Sequence, residues 1–157
     1  MQNRQHPVNL AIRRAQPDEL DAVLALYRDC GYGGGVDPAD ITLLAKAGAG
    51  IVGAARVCLE QGTLVLRGVQ VRAEYHRQGI GKRLLAAAIP HLDRAVCYCL
   101  PYSHLVDFYA SKGFRVVDAG SLPEFLRDRL DGYIAQGQDL LGMRRDPPGD
   151  AGQGSTI

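Results

Sequence analysis

The 157-residue sequence has no tryptophan, two methionines, four cysteines and almost no net charge, at +1. No run of apolar residues approaches the ~20 that a membrane-spanning helix requires, and the polar stretch Met1 to His6 does not read as a signal peptide. A charge of +1 supplies no global field to recruit nucleic acid, so neither a nucleic acid nor a membrane is expected as a partner. None of the Cys and His spacings matches a zinc site, and no metal is expected. Cys97 and Cys99 stand two apart in a strand-like run, share a face, and are poorly placed to bridge. Together with Cys30 and Cys58 they are expected to be buried, reduced thiols of a cytoplasmic protein. What remains is an ordinary globular composition, 46% hydrophobic and 22% charged, in a chain that suits one domain.

The informative stretch is Val69-Gln70-Val71-Arg72-Ala73-Glu74-Tyr75-His76-Arg77-Gln78-Gly79-Ile80-Gly81-Lys82-Arg83-Leu84-Leu85. A strand runs into a polar turn with two glycines, and an apolar-periodic segment rich in Leu and Ala follows as a helix. The first N–H groups of a helix have no intrahelical partner, and the helix dipole adds partial positive charge there. Gly79 and Gly81 lack Cβ and let a bulky anion approach the backbone, while Arg77, Lys82 and Arg83 add formal charge. The pattern predicts a phosphate site. A Walker A loop is excluded because His76 stands where its first glycine belongs and Arg83 follows Lys82. The dinucleotide fingerprint is excluded because position 84 is Leu.

The segment His76-x-x-Gly79-x-Gly81 resembles the pyrophosphate loop of the GNAT superfamily of N-acyltransferases, Arg/Gln-x-x-Gly-x-Gly/Ala, with His in place of Arg or Gln at the first position. A second segment, Asp107-Phe108-Tyr109-Ala110-Ser111-Lys112-Gly113-Phe114, resembles that family's late Phe-Tyr-x-x-x-Gly-Phe. The two are separated by room for one helix and one strand, as the family requires.

The remaining elements fall in a matching order. Val8 to Arg14 reads as a first strand, and Pro17-Asp18-Glu19 opens a helix that stops before Gly31. The glycine-rich loop Gly31-Tyr32-Gly33-Gly34-Gly35 is either a plain connector or, as the resemblance implies, part of the acceptor site. Ile41 to Lys46, Ile51 to Leu59 and Leu64 to Val71 read as three successive strands joined by tight turns. A helix from about Gly79 is bent or ended by Pro90, and Ala95 to Leu100 forms a fifth strand, parallel to the fourth. Ser103 is placed to cap a helix with Leu105, Phe108, Tyr109 and Lys112 on one side. Gly113 ends that helix, and Phe114 to Val117 is the sixth strand. Ser121-Leu122-Pro123-Glu124 reads as a capping box for a further helix that ends by Gly137. Asp139 to Arg144 is the last strand. The expected fold is α/β (α+β): one GNAT-like domain over residues 1–145, with a mixed, mostly antiparallel sheet of about seven strands. Helices cover both faces, the fourth and fifth strands are parallel and splayed, and 146–157 form a disordered tail.

The resemblance implies an acetyl-CoA-dependent N-acetyltransferase. The diphosphate would rest on the N–H groups of Arg77, Gln78, Gly79, Ile80, Gly81 and Lys82, next to His76. The pantetheine arm would pair with Val69 and Val71, with the Val71 N–H facing the thioester oxygen. Tyr109 is the implied acid that protonates the departing thiolate, against a reading of it as a packed aromatic. No acid stands on the fourth strand, so the general base is open among His104, a water relay, or no strong base at all. The leading expectation is direct attack by the primary amine of a small molecule in a ternary complex, with a homodimer possible. The alternatives are a protein or peptide N-acetyltransferase and a non-catalytic acyl-CoA-binding module.

Overall fold

The computed structural model describes residues 9–149. Among them seven strands, β1 (Leu10–Arg14), β2 (Ile41–Ala47), β3 (Gly50–Glu60), β4 (Thr63–Val71), β5 (Cys97–Cys99), β6 (Arg115–Val117) and β7 (Gly142–Arg145), form one sheet in the order β1-β2-β3-β4-β5-β7-β6. β4 and β5 are parallel, and the β1–β2, β2–β3, β5–β7 and β6–β7 pairs are antiparallel. The helices are α1 (Leu20–Asp29), α2 (Ile80–Leu92), α3 (Val106–Ala110) and α4 (Glu124–Ala135). This is the α/β fold class expected from the order of elements. The chain packs as two compact units, the described part of Met1–Cys58 with Gly68–Ala88, and Leu59–Arg67 with the described part of Ile89–Ile157.

In the first unit, α1 begins where the sequence marks it. Pro17–Glu19 forms a single 3₁₀ turn, and the Glu19 carboxylate accepts from the Gln16 N–H at 2.8 Å and from Arg13 at 2.7 Å. The Arg13 hydrogen bond is the main reason the Glu19 pKa falls to about 2. Val23, Leu26 and Tyr27 of α1 pack on Leu44 and Ala54. On α2, Leu84 and Ile80 face Gly53, where an added Cβ would stand 3.0 Å from Leu84 and 3.4 Å from Ile80. Gly53 and Ala54 are successive residues of β3 and point to opposite faces, so the two helices cover opposite sides of the sheet. That double cover explains the unbroken burial of Val52 to Cys58, where a strand with one wet face would alternate.

β4 departs from regular strand geometry at Gly68, whose φ is +63°. The Tyr27 hydroxyl donates to the Gly68 carbonyl at 2.8 Å. A Cβ at Gly68 would lie 2.4 Å from the Tyr27 hydroxyl oxygen. Burial pushes the Tyr27 phenol well above its usual range, so it remains a donor.

In the second unit, β5 pairs with β4 only at Leu64↔Cys97 and Val65↔Tyr98. Leu126 and Leu130 of α4 pack with Val65, Tyr98 and Leu122. The helix before the last strand therefore builds core. β7 lies between β5 and β6, an order that chain sequence does not reveal.

Several local expectations are corrected. β5 spans Cys97–Cys99, not Ala95 to Leu100, and β7 starts at Gly142, with Leu140 contributing one isolated bridge to Tyr102. α3 is five residues long, and of the four positions expected on one side only Tyr109 is buried. Ser103 does not cap it, because its hydroxyl bonds the Asp139 carboxylate at 2.5 Å. The Ser121–Glu124 box does not form either. Ser121 closes a separate 3₁₀ turn, and Pro123 precedes α4 with no side-chain cap. Val8 and residues 150–157 of the expected tail lie outside the described residues. Asp146 accepts from Arg115 and Arg144 at 2.8 Å each.

Gly68→Ala should destabilise the protein by roughly 2–4 kcal/mol, combining a left-handed residue with a Cβ and a forced shift of a buried ring. Chemical denaturation measures this; a loss below about 1 kcal/mol would show that β4 adjusts without strain.

Candidate functional site

The loop after β4 is held at its start and at its turn. The Arg72 N–H donates to the Val52 carbonyl at 2.8 Å, its Nε to the Ile51 carbonyl at 3.0 Å, and its Nη1 to Asp29 at 2.7 Å. A single 3₁₀ turn covers Ala73–Tyr75. The His76 ring then folds back, with Nε2 2.8 Å from the Val71 carbonyl oxygen. A carbonyl only accepts, so Nε2 carries the proton. The residue that departs from the family pattern thus links the end of β4 to the turn ahead of α2. Sequence reasoning missed this role, and the only signal for it was the departure itself.

Arg77 has φ +66° and Gly79 φ +78°, so two left-handed residues flank Gln78. Such alternation turns successive N–H groups toward one concave side, an arrangement that binds anions. α2 opens at Ile80, and its first backbone bond is from the Arg83 N–H to the Gly79 carbonyl at 3.1 Å. No described group accepts from the N–H groups of Arg77, Gln78, Gly79, Ile80, Gly81 or Lys82. A Cβ at Gly79 would meet nothing within 4 Å, so the space over this backbone is open. Arg77, Lys82 and Arg83 are exposed around it. The donors, the open cradle and the charges suit a diphosphate.

Val69 and Val71 lie on the part of β4 beyond its last pairing with β5. They, the loop residues and the α2 N-terminus belong to the first unit. Tyr109 belongs to the second. It is 7% exposed, its ring meeting Phe108 edge-on at 4.9 Å and Phe114 at 5.9 Å. Its carbonyl accepts from the N–H groups of Lys112 at 3.1 Å and Phe114 at 3.3 Å, and Gly113 supplies the left-handed turn with φ +96°. The ring is therefore fixed by packing on both sides. His104 is exposed and stacks on Tyr102 at 5.8 Å.

Sequence reasoning found no acid on β4. Glu60, at the end of β3, reaches that strand by a 3.1 Å ion pair with Arg67, and also accepts from Arg129 at 2.6 Å. Burial pushes the Glu60 pKa up, but the Arg129 hydrogen bond and the two positive charges outweigh it, and the net shift is downward. A carboxylate held ionised by two arginines is a poor base. Among the described residues no group of three or more His, Cys, Asp or Glu is placed to hold a metal. None of the four cysteines forms a disulfide, and no described helix is long and apolar enough to cross a membrane.

The acetyltransferase (GNAT) domain family matches residues 38–116, half of the chain. The chain belongs to the GNAT family. Its fold is shared with N-acetylglutamate synthase from Neisseria gonorrhoeae, solved with coenzyme A and N-acetyl-glutamate. The TM-score is 0.68 at 18% identity, over 90% of this chain and 36% of that one. This GNAT chain thus spans about a third of that enzyme's length. The ribosomal-protein-S18-alanine N-acetyltransferase of Escherichia coli gives 0.66 at 15% identity, over 88% of this chain and 94% of that one. The PaiA N-acetyltransferase of Thermoplasma acidophilum, solved with coenzyme A, gives 0.62 at 16% identity, over 88% and 99%. No curated protein matches the chain.

The His76 contact makes a prediction that needs no ligand. His76→Ala should speed amide exchange across residues 76–79, while the melting temperature falls only slightly, because the ring is exposed. Unchanged exchange would show that the Nε2 bond does not hold the loop.

Proposed function

We propose that this GNAT-family chain is an acetyl-CoA-dependent N-acetyltransferase that acts on the primary amine of a small molecule by direct attack in a ternary complex. The observation that carries the reading is the row of six backbone N–H groups without a described acceptor, from Arg77 to Lys82, wound over the open Gly79 cradle at the head of α2. In this reading the diphosphate of acetyl-CoA takes those donors, and Arg77, Lys82 and Arg83 neutralise its charge. The pantetheine amides pair with the backbone of Val69 and Val71, and the Val71 N–H stabilises the thioester oxygen as negative charge grows on it. His76 supports this by engaging the carbonyl of the same residue, which restricts how the peptide units at the end of β4 can turn.

The amine nitrogen attacks the thioester carbon, the C–N bond forms and the C–S bond breaks. The nitrogen gives up its proton to a water relay, since Glu60 is committed to its two arginines. Tyr109 gives its phenolic proton to the CoA thiolate; with a reference pKa of ~10 it is protonated at neutral pH. The reading of a small acceptor assigns its site to the glycine-rich loop, where Tyr32 folds edge-on against Tyr27 at 4.7 Å. That none of the four cysteines forms a disulfide, three of them being buried, supports a cytoplasmic setting.

Thiol release from acetyl-CoA across a panel of small amines tests the whole reading, and tight CoA binding with no turnover on any amine would make the chain a binding module. Gly79→Val should weaken acetyl-CoA binding at least tenfold in calorimetry with the fold retained, because it puts a branched side chain over the cradle at φ +78°. Gly81→Val should act in the same direction, and unaltered affinity in both would remove the loop from the site. Tyr109→Phe keeps the ring and its aromatic contacts, so acetyl-CoA affinity should hold while kcat drops ~10²–10⁴-fold. Near-normal turnover with a modest stability loss would make Tyr109 a packing residue only.

A further inference from the structure

Arg56 of β3 is a charged side chain with no place in the chemistry above. The residue is 4% exposed. Its Nη1 donates to the Asp40 carboxylate at 2.9 Å and lies 3.7 Å from the Cys58 sulfur. Its other two nitrogens, Nε and Nη2, are buried and make no hydrogen bond among the described residues. Those two atoms form one edge of the guanidinium, with parallel N–H groups spaced for the two oxygens of a carboxylate. Thr42 stands opposite Arg56 in the β2–β3 register, so the two side chains rise from the same face. The Thr42 hydroxyl is also buried without a partner.

Three orphaned polar atoms on two facing residues are costly in a folded protein unless something occupies the space between them. The surroundings say what that occupant brings. The Asp40 carboxylate is already engaged by Arg56, and the Tyr27 hydroxyl, which donates to Gly68, makes no hydrogen bond to Nε or Nη2. Donors therefore exceed acceptors, and the missing partner must supply acceptor oxygens. Asp40 and Thr42, the two partners of Arg56 across the strands, also stand in the wall of a pocket of about 250 Å³ that Arg14 and Gln16 help to line. Over Arg56 lies Tyr27, its ring centroid 6.0 Å from the guanidinium carbon, and Tyr32 packs edge-on against Tyr27 at 4.7 Å without a hydrogen bond to the free edge. Tyr32 belongs to the glycine-rich loop, where added side chains at Gly31, Gly33 and Gly35 would meet nothing within 4 Å. Gly34 differs, because a Cβ there would strike the Tyr32 ring, and Tyr32 and Val36 pack against the core beneath α1.

We infer that the free edge of Arg56, with the Thr42 hydroxyl beside it, binds the carboxylate of the acceptor, so that the amine acetylated is that of a small amino acid. This rests on the acetyl-transfer reading, whose site it supplies with a substrate class. It does not add a reaction step. Arg56 is a specificity residue that touches substrate away from the reacting atoms.

The experiment compares matched pairs on the unmodified protein: the common α-amino acids and short ω-amino acids, each beside its carboxamide. For the preferred acceptor, kcat/KM should be at least about tenfold higher for the acid than for the amide, because a carboxamide offers one acceptor oxygen where the fork requires two. Arg56→Lys keeps a cation for Asp40 and removes the fork, and should bring the ratio to within about threefold of unity. Thr42→Val should lower the ratio by a smaller factor, and serves if Arg56→Lys does not fold. Amides or simple alkylamines used as well as the acids by the unmodified protein overturn the inference, as does a ratio that survives both substitutions. Should no amine release thiol at all, the acetyl-transfer reading fails separately. Calorimetry with the same pairs then decides the carboxylate site: binding selective for the acid and lost in Arg56→Lys sustains it, and equal or no binding overturns it.

Discussion

The hydrogen bond from Tyr27 to the Gly68 carbonyl is the constraint on which the first unit turns. β4 must carry a left-handed residue at Gly68, and that peptide unit needs a partner once it leaves the regular ladder. Tyr27 supplies it from α1, and its ring occupies the space that any side chain at Gly68 would need. The helix that fills the core therefore also fixes the strand that leads to the anion loop. Burial helps by holding the phenol protonated, so the bond does not depend on pH in any ordinary range.

From that strand the chain enters a loop that is pinned without being filled. Arg72 ties its start to Ile51, Val52 and Asp29, and His76 ties its turn to Val71. Gly79 and the first residues of α2 are left with open space and unaccepted N–H groups. A site for a large anion needs both properties: donors aimed in advance, so that binding does not have to order them, and no side chain in the way. Several charges elsewhere pair locally. Glu60 joins Arg67 and Arg129, and Asp146 joins Arg115 and Arg144. Arg127, Arg129 and Arg145 each bury one nitrogen without a hydrogen bond among the described residues, but Arg56 leaves two on a single edge, which is where we infer a ligand.

Much of this was legible in the residues. The strand, glycine turn and helix from Val69 to Leu85 could be read because a turn into a helix has a local signature: two glycines and the onset of apolar periodicity. The parallel pairing of β4 with β5 followed from a crossover helix between them. Caps were less legible. Ser103 and Ser121 have side chains that cap helices, yet Asp139 captures one and a separate 3₁₀ turn takes the other. A hydroxyl takes whatever partner packing brings closest, and the sequence nearby does not name it.

By itself, then, the sequence determined the order and kind of the elements, the glycine turn ahead of α2 and the family, because each depends on residues adjacent in the chain. Tertiary structure alone decided the insertion of β7 between β5 and β6, the meeting of Tyr27 with Gly68, the return of His76 to Val71, and the burial of Arg56 opposite Thr42 with one edge unpaired. Long-range pairing is the reason. Tyr27 and Gly68 lie far apart in the chain, and nothing in the neighbours of either announces the other. A buried arginine looks in sequence like any exposed one until the strand beside it and the helix above it have removed the water.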